Sequence, residues 1–213
     1  MSIVKLNLIA AACENMGIGV NGSLPWRLKK EMAYFTTMTC KVSDPSKVNA
    51  VIMGRRTFDC IPDKYRPLSG RVNIVLTHHV DALKEKVVVA TGLKTKLSLS
   101  EVVAKNVRCA KSVLVPEGVV VVPSLDAAIE YIESRQDIES TWVIGGSSIY
   151  RAAMSHPNCG KIYLTEIQKT YDCDTFFPNI DRHQFHLADE DQVPGERQLE
   201  GDISYYFRVY QKL

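Results

Sequence analysis

Apolar residues along this chain fall into two kinds of run. Ile3 to Cys13 reads as a first strand, and its IAAA segment indicates burial on both faces. Val48 to Met53, Val72 to Thr77, Val119 to Val122, Thr141 to Ile144 and Lys161 to Ile167 are further short apolar runs, bounded by turn residues, as buried strands are. Gln184 to Ala188 and Ile203 to Gln211 alternate instead: Tyr205, Phe207 and Val209 oppose Tyr206, Arg208 and Tyr210. With Pro194-Gly195 between them, these two read as an antiparallel pair. Ser124 caps a predicted helix through Arg135, whose apolar face is Leu125, Ala128, Ile129 and Ile132. Shorter helices are expected from Arg55 to Ile61-Pro62 and from Ile149 to Met154. Strands alternating with helices and then an antiparallel pair predict an α/β fold with a mixed sheet. No repeat, linker or composition break divides residues 1–213, so a single domain is expected.

One helical pattern carries an anomaly. In LPWRLKKEMAYFTTM, Leu24 to Met38, a helix from about Arg27 places Leu28, Phe35 and Met38 on one face. Glu31 lies on that same stripe. A carboxyl there loses hydration, which disfavours its charged form and raises its pKa, as a proton donor working near neutral pH requires. The competing reading is a carboxylate at the edge of the stripe, reaching water or a lysine.

Composition narrows the function classes. Of 213 residues, 46% are hydrophobic and 23% charged, with a net charge of +2. That is the balance of an ordinary globular protein, with no bias towards nucleic acid or membrane surfaces. The six cysteines are scattered without a CxxC pair, so neither a zinc site nor a disulfide framework is indicated. Reduced thiols in the cytoplasm fit better. The apolar run Leu6 to Cys13 is too short to span a bilayer, which takes about 20 residues.

Four segments hold candidate chemistry. Gly17, Gly19 and Gly22 in NMGIGVNGSLPW allow close backbone approach to a ligand. Arg55, Arg56 and Thr57 at a helix start suggest an anion site, or a solvated basic turn. Arg71, entering a strand, is placed to clamp a carboxylate or to decorate the surface. Gly145-Gly146-Ser147-Ser148 between a strand and a helix suits a pyrophosphate, but it is not GxGxxG, and a packing role for the glycines is an equal alternative. Thr91 to Glu117 is an excursion with a short helix around Ser100 to Asn106 and no site of its own.

Seven segments, in order, resemble the dihydrofolate reductase family of the animal type: NMGIGVNGSLPW, KKEMAYF, VIMGRRTFDCIP, RPLSGRVNIVLT, WVIGGSSIY, IYLTEI and DTFFP. They span most of the chain except Thr91 to Glu117, a probable insertion, and the segment before the last strand. The resemblance implies a mostly parallel, mixed eight-stranded sheet flanked by helices. It also implies hydride transfer from NADPH to C6 of dihydrofolate, with protonation at N5, supporting one-carbon metabolism. It implies a cytoplasmic monomer inhibited by antifolates, with no metal, membrane or nucleic-acid partner.

The resemblance also assigns residues. Glu31 becomes the acid of the pterin pocket, aided by a water near Trp26 and by the Thr165 hydroxyl. Leu24 and Trp26 belong to a loop closing over the nicotinamide. Phe35, Met32, Ile61 and Leu68 line the pterin and aminobenzoyl groove, and Arg71 pairs with the glutamate tail. Ile9 and Ile144 offer carbonyls to the pterin edge near Tyr150. Ala11, Gly17, Ile18, Gly19, Gly22 and Ser23 contact the cofactor. So do Arg55, Arg56, Thr57, Thr77, His78 and His79, with Gly145, Gly146, Ser147, Ser148, Ile149 and Tyr150. The Gly145-Gly146 peptide resembles one that is cis.

The chain departs from the pattern at Thr77-His78, where animal members usually carry Ser-Arg beside the adenosine 2′-phosphate. Met32 and Tyr65 replace a phenylalanine and an asparagine common in vertebrates, so antifolate selectivity does not carry over. Two other readings stand beside this one: a related pyrimidine or pterin reductase of riboflavin-type metabolism, and a non-catalytic nucleotide- or RNA-binding module. LPW with Glu31 and Arg71 disfavours the first. Mild charge disfavours the second.

Overall fold

A computed structural model describes residues 3–78, 113–115 and 119–213. Eight longer strands form the central sheet: β1 (Leu6–Cys13), β3 (Val48–Gly54), β4 (Arg71–Leu76), β6 (Val119–Val122), β7 (Ile138–Gly145), β8 (Cys159–Ile167), β10 (Phe185–Ala188) and β12 (Ile203–Lys212). Short strands β5 (Val113–Val115) and β11 (Gln198–Glu200) extend it, in the order β10-β12-β8-β1-β7-β3-β4-β6-β5 with β11 on β12. The strands from β8 to β6 run parallel; β12 opposes β8, and β10 and β11 oppose β12. The expected terminal antiparallel pair is therefore present. A small second sheet joins β2 (Gly17–Gly19) to β9 (Thr175–Phe176). The end of the segment read as an excursion is edge strand β5, paired to β6, which corrects that expectation for residues 113–115. The helix expected around residues 100–106 lies outside the described residues.

Among the described residues, four α-helices flank the sheet: α1 (Lys29–Cys40), α2 (Arg55–Cys60), α3 (Leu125–Glu133) and α4 (Ser147–Ser155). The uninterrupted apolar runs follow from covering the parallel sheet on both faces. On one face Leu6, Leu8, Ala50, Ile52, Ile74, Val122 and Val143 pack with Ala128, Ile129 and Ile132 of α3 and Ala153 of α4. On the other, Ile9, Val51, Met53, Val75 and Trp142 meet Phe58 of α2 and the half-buried Tyr34, Phe35 and Met38 of α1. Burying a side chain of this size contributes about 1.5–3 kcal/mol.

Ser124 caps α3 as expected, its Oγ accepting from the Ala127 N–H at 3.1 Å. The aromatic pair of DTFFP divides: Phe177 is buried against the Tyr150 ring, while Phe176 is exposed. Among the described residues no helix is long and apolar enough to cross a membrane.

Candidate active site

Helix α1 has Leu28 at its N-cap, a side chain with no acceptor to offer the first N–H groups. Glu31, the third helical residue, points into the protein and is 6% exposed. Its neighbour across the site is Thr165 of β8, whose hydroxyl donates to Glu31 Oε1 over a long 3.5 Å. Burial is the larger effect on this acid: it pushes the Glu31 carboxyl up to about 7, against the smaller lowering by Thr165 and with a further push from Glu200. The misplaced acid of the sequence is therefore a buried, readily protonated one.

The strand register sets what surrounds it. Ala11 lies opposite Thr165, and Thr165 opposite Phe207, so β1, β8 and β12 present one continuous floor. Leu8 pairs with Val143, which brings the next residues, Ile9 and Ile144, to neighbouring strand ends. The Tyr150 hydroxyl donates to the Ile9 carbonyl at 2.8 Å, tying α4 to β1 in a fully buried contact. A carbonyl has two lone pairs, so Ile9 retains capacity for a second donor. Phe35, Ile61, Leu68 and Ile144 gather around Ile9 in one apolar cluster.

Met32, expected in the groove lining, is 47% exposed, and Leu24, expected on the closing loop, is 46% exposed. Their positions explain this: Met32 is one helical step from the buried stripe, and Leu24 precedes the helix on a loop. Tyr65 is likewise exposed. Trp26 is buried, tilted against Tyr171 at 5.5 Å, and its Nε1 has no partner among the described residues.

Arg71 does not decorate the surface. It is 8% exposed, its Nη1 donating to Thr39 Oγ1 at 2.7 Å and its Nε to the Ser69 carbonyl at 3.0 Å. Burial lowers its pKa without bringing it near neutrality in kind, since a guanidinium stays charged. Thr39 was not singled out from the sequence, yet it continues the spacing of four from Glu31 through Phe35, which was the available signal. Glu200 was also missed. It accepts from the Lys29 and Lys30 backbone N–H groups across more than a hundred residues, and no local pattern announces it.

The glycine loop is strapped down by the segment around β9. Asn15 Oδ1 accepts from the Gly17 N–H at 3.2 Å, while Asn15 Nδ2 donates to the Tyr171 carbonyl at 3.1 Å. The Asn21 N–H donates to Asp174 Oδ2 at 2.7 Å, and the Asp174 N–H to the Gly19 carbonyl at 3.1 Å. A Cβ on Gly17 would lie 2.4 Å from Cys173 Sγ, so only glycine fits there. Cys173 and Cys13 meet beneath it, with sulfurs 4.0 Å apart; the scatter of cysteines along the sequence concealed this contact.

The remaining candidates converge at the C-terminal ends of β3, β4 and β7. Gly54 pairs with Leu76, so Arg55 and Arg56 start α2 beside Thr77 and His78 at the end of the neighbouring strand. Arg56 and His78 are exposed; Arg55 is 3.6 Å from Asp59. His79 lies outside the described residues. The Gly145-Gly146 peptide is cis, as the resemblance implied, and so is Arg66-Pro67, which was not anticipated. Gly146 is the N-cap of α4 and offers no side chain, so the Ser147 and Ser148 N–H groups head a helix without a cap.

These residues fit a nicotinamide dinucleotide. A Cβ on Gly146 would lie 3.4 Å from Thr57 Oγ1, and one on Gly22 would lie 3.0 Å from Cys60 Sγ. The start of α4 thus meets the first turn of α2, and the glycine loop meets the far end of α2, beside the strand ends where α/β sheets bind ligands. A separate groove lined by Arg151, Ser155, Asn179 and Lys212 lies at the opposite end of α4 and shares none of this chemistry.

Comparison with known proteins agrees with the geometry. A family model described as dihydrofolate reductase matches residues 5–109 and 102–212. The chain is 72% identical to a dihydrofolate reductase of Heliothis virescens over the full length of both. It is 37% identical to that of Drosophila melanogaster, covering 99% of each chain. The solved Schistosoma mansoni dihydrofolate reductase superposes with a TM-score of 0.72 at 32% identity, covering 99% of both chains. In sequence along its whole length and in fold, this chain belongs to the dihydrofolate reductase family, in its animal form.

Proposed function

We propose that the chain reduces 7,8-dihydrofolate to 5,6,7,8-tetrahydrofolate with NADPH. The observation that carries this reading is Glu31: a buried carboxyl with a pKa pushed up to about 7, in the first turn of the helix whose Thr39 binds the buried Arg71. NADPH supplies a hydride to C6 of the pterin. Gly146, Ser147 and Ser148 at the start of α4 would hold its pyrophosphate, and Arg56 with Thr77 and His78 its 2′-phosphate.

The protein's own part is to bind, orient and hold a proton. With its pKa pushed up to about 7, Glu31 keeps a proton into the neutral range. A proton is thus at hand for N5 without the carboxyl being so weak an acid that transfer stalls. Thr165 fixes the orientation of that carboxyl. Phe35, Ile61 and Leu68 exclude water from the pterin and aminobenzoyl rings, which strengthens each polar contact that remains. Arg71, held by Thr39, would take the α-carboxylate of the glutamate tail in a bidentate pair.

The direct test follows NADPH absorbance with and without dihydrofolate, and again with methotrexate. Oxidation that requires dihydrofolate and stops with the antifolate supports the reading. No turnover with either nicotinamide cofactor overturns it.

A further inference from the structure

Helix α1 carries the proton-holding acid in its first turn, and that turn lacks a local cap. The Leu28 side chain accepts nothing. The orphan N–H groups are instead met from the far end of the chain: Glu200 Oε1 accepts from the Lys29 N–H at 2.5 Å and Oε2 from the Lys30 N–H at 2.9 Å. One carboxylate thus bridges the two residues immediately before Glu31.

Glu200 is itself rigidly mounted. It closes β11 and pairs with Ile203 across a tight turn whose Gly201 has φ +63°. Asp202 in that turn pairs with Lys169 at 2.7 Å. Strand β12, which follows, pairs on its other edge with β8, the strand that carries Thr165. Glu200 therefore references the first turn of α1 to the same two strands that present the Thr165 hydroxyl to Glu31.

We propose that Glu200 is a positioning residue for the reaction: it clamps the first turn of α1 to the β11–β12 hairpin, and its fixed negative charge helps Glu31 retain its proton. The inference rests on the role given to Glu31 above. The charge argument follows from position. A helix N-terminus carries a partial positive charge that favours an ionised carboxylate in the first turn. Glu200 neutralises that charge at its source, and the two N–H groups in turn hold Glu200 below the usual carboxylate range, so it stays ionised. The groups facing Glu31 are the Thr165 hydroxyl of β8, the Tyr150 phenol of α4, the Tyr205 phenol of β12, Tyr34 of its own helix and Glu200. Of these, Glu200 alone is charged at neutral pH, and Lys29 and Lys30 act on it directly.

The test is a carbon-13 NMR titration of the Glu31 carboxyl in the intact protein and in Glu200→Gln and Glu200→Asp, beside melting temperatures and the pH profile of single-turnover NADPH oxidation. Gln keeps an acceptor and drops the charge. Its Glu31 midpoint should fall by about half a unit, with about a threefold slower rate on the alkaline limb. Asp keeps the charge on a shorter arm and should return most of that shift. A Glu31 midpoint unmoved in Glu200→Gln, with only the melting temperature lowered, overturns the proposal and leaves Glu200 a structural cap. Glu31→Gln in the same turnover assay separates the two readings. Full activity there defeats the role of Glu31, whereas the NMR midpoint still decides the role of Glu200.

Discussion

Arg71 donates to the hydroxyl of Thr39 at 2.7 Å, and Thr39 in turn donates to the Phe35 carbonyl at 2.8 Å. The guanidinium is thereby fixed by the C-terminal part of the helix whose first turn carries Glu31. Helix α1 thus carries Glu31 near one end and holds Arg71 near the other. Thr39→Val keeps the shape and removes the acceptor. It should raise KM for dihydrofolate about three- to tenfold with kcat nearly unchanged, in line with loss of one hydrogen bond that orients a charged group. Steady-state kinetics check this; an equal fall in kcat would mean that Thr39 acts on the chemical step.

Glu31 should cost stability at the pH where it works. Its folded pKa of about 7 lies above the ordinary glutamate value of 4.5, so between those values the folded chain binds more protons than the unfolded one. Its contribution is fully present below about pH 4.5 and is lost as pH rises through about 7. Glu31→Gln removes the ionisation and should stabilise the protein by about 3 kcal/mol above pH 7, with little gain near pH 5. Denaturant unfolding at the two pH values measures the difference.

Gly17 is held against Cys173 so closely that an added Cβ would lie 2.4 Å from its sulfur and 2.6 Å from its Cβ. Gly17→Ala should destabilise by about 1–3 kcal/mol. Adding Cys173→Ala should not restore the loss, because the Cβ of residue 173 remains in the way. Thermal unfolding of the two variants decides whether the strap between β2 and β9 is as tight as drawn.

Much of this was legible in the sequence, and the exceptions share a cause. Strands with uninterrupted apolar runs and the stripe of α1 are local patterns, so β3, β4, β6 and α3 lie within a residue or two of where periodicity puts them. Glu31 was visible as a carboxyl in the wrong place. Periodicity could not show what it faces: the family motifs supplied Thr165, 134 residues away, while nothing announced Glu200, which reaches the helix backbone across about 170. Met32, which motif matching placed in the groove lining, is half exposed, because its helical angle turns it away from the buried stripe. The Cys13–Cys173 contact had no sequence signal, since neither residue lies near the other or in a paired motif.

His78 follows β4 beside the start of α2, where Arg56 is exposed. An arginine there would add a permanent, bidentate charge for a phosphate. His78→Arg should tighten NADPH by about threefold or more and leave NADH nearly unchanged. Titration of both cofactors by fluorescence checks it. Equal tightening of both would place His78 away from the 2′-phosphate.

The central claim is that Glu31 holds the proton the reaction consumes. Single-turnover NADPH oxidation with dihydrofolate, followed from pH 5 to 9 in the parent chain and in Glu31→Gln, addresses it most directly. The parent rate should fall about tenfold per pH unit above a midpoint near 7. The variant should fold, show no such midpoint and run at least about a hundredfold slower at pH 6. A variant that keeps the parent's midpoint, or its rate within a few-fold, would contradict the account.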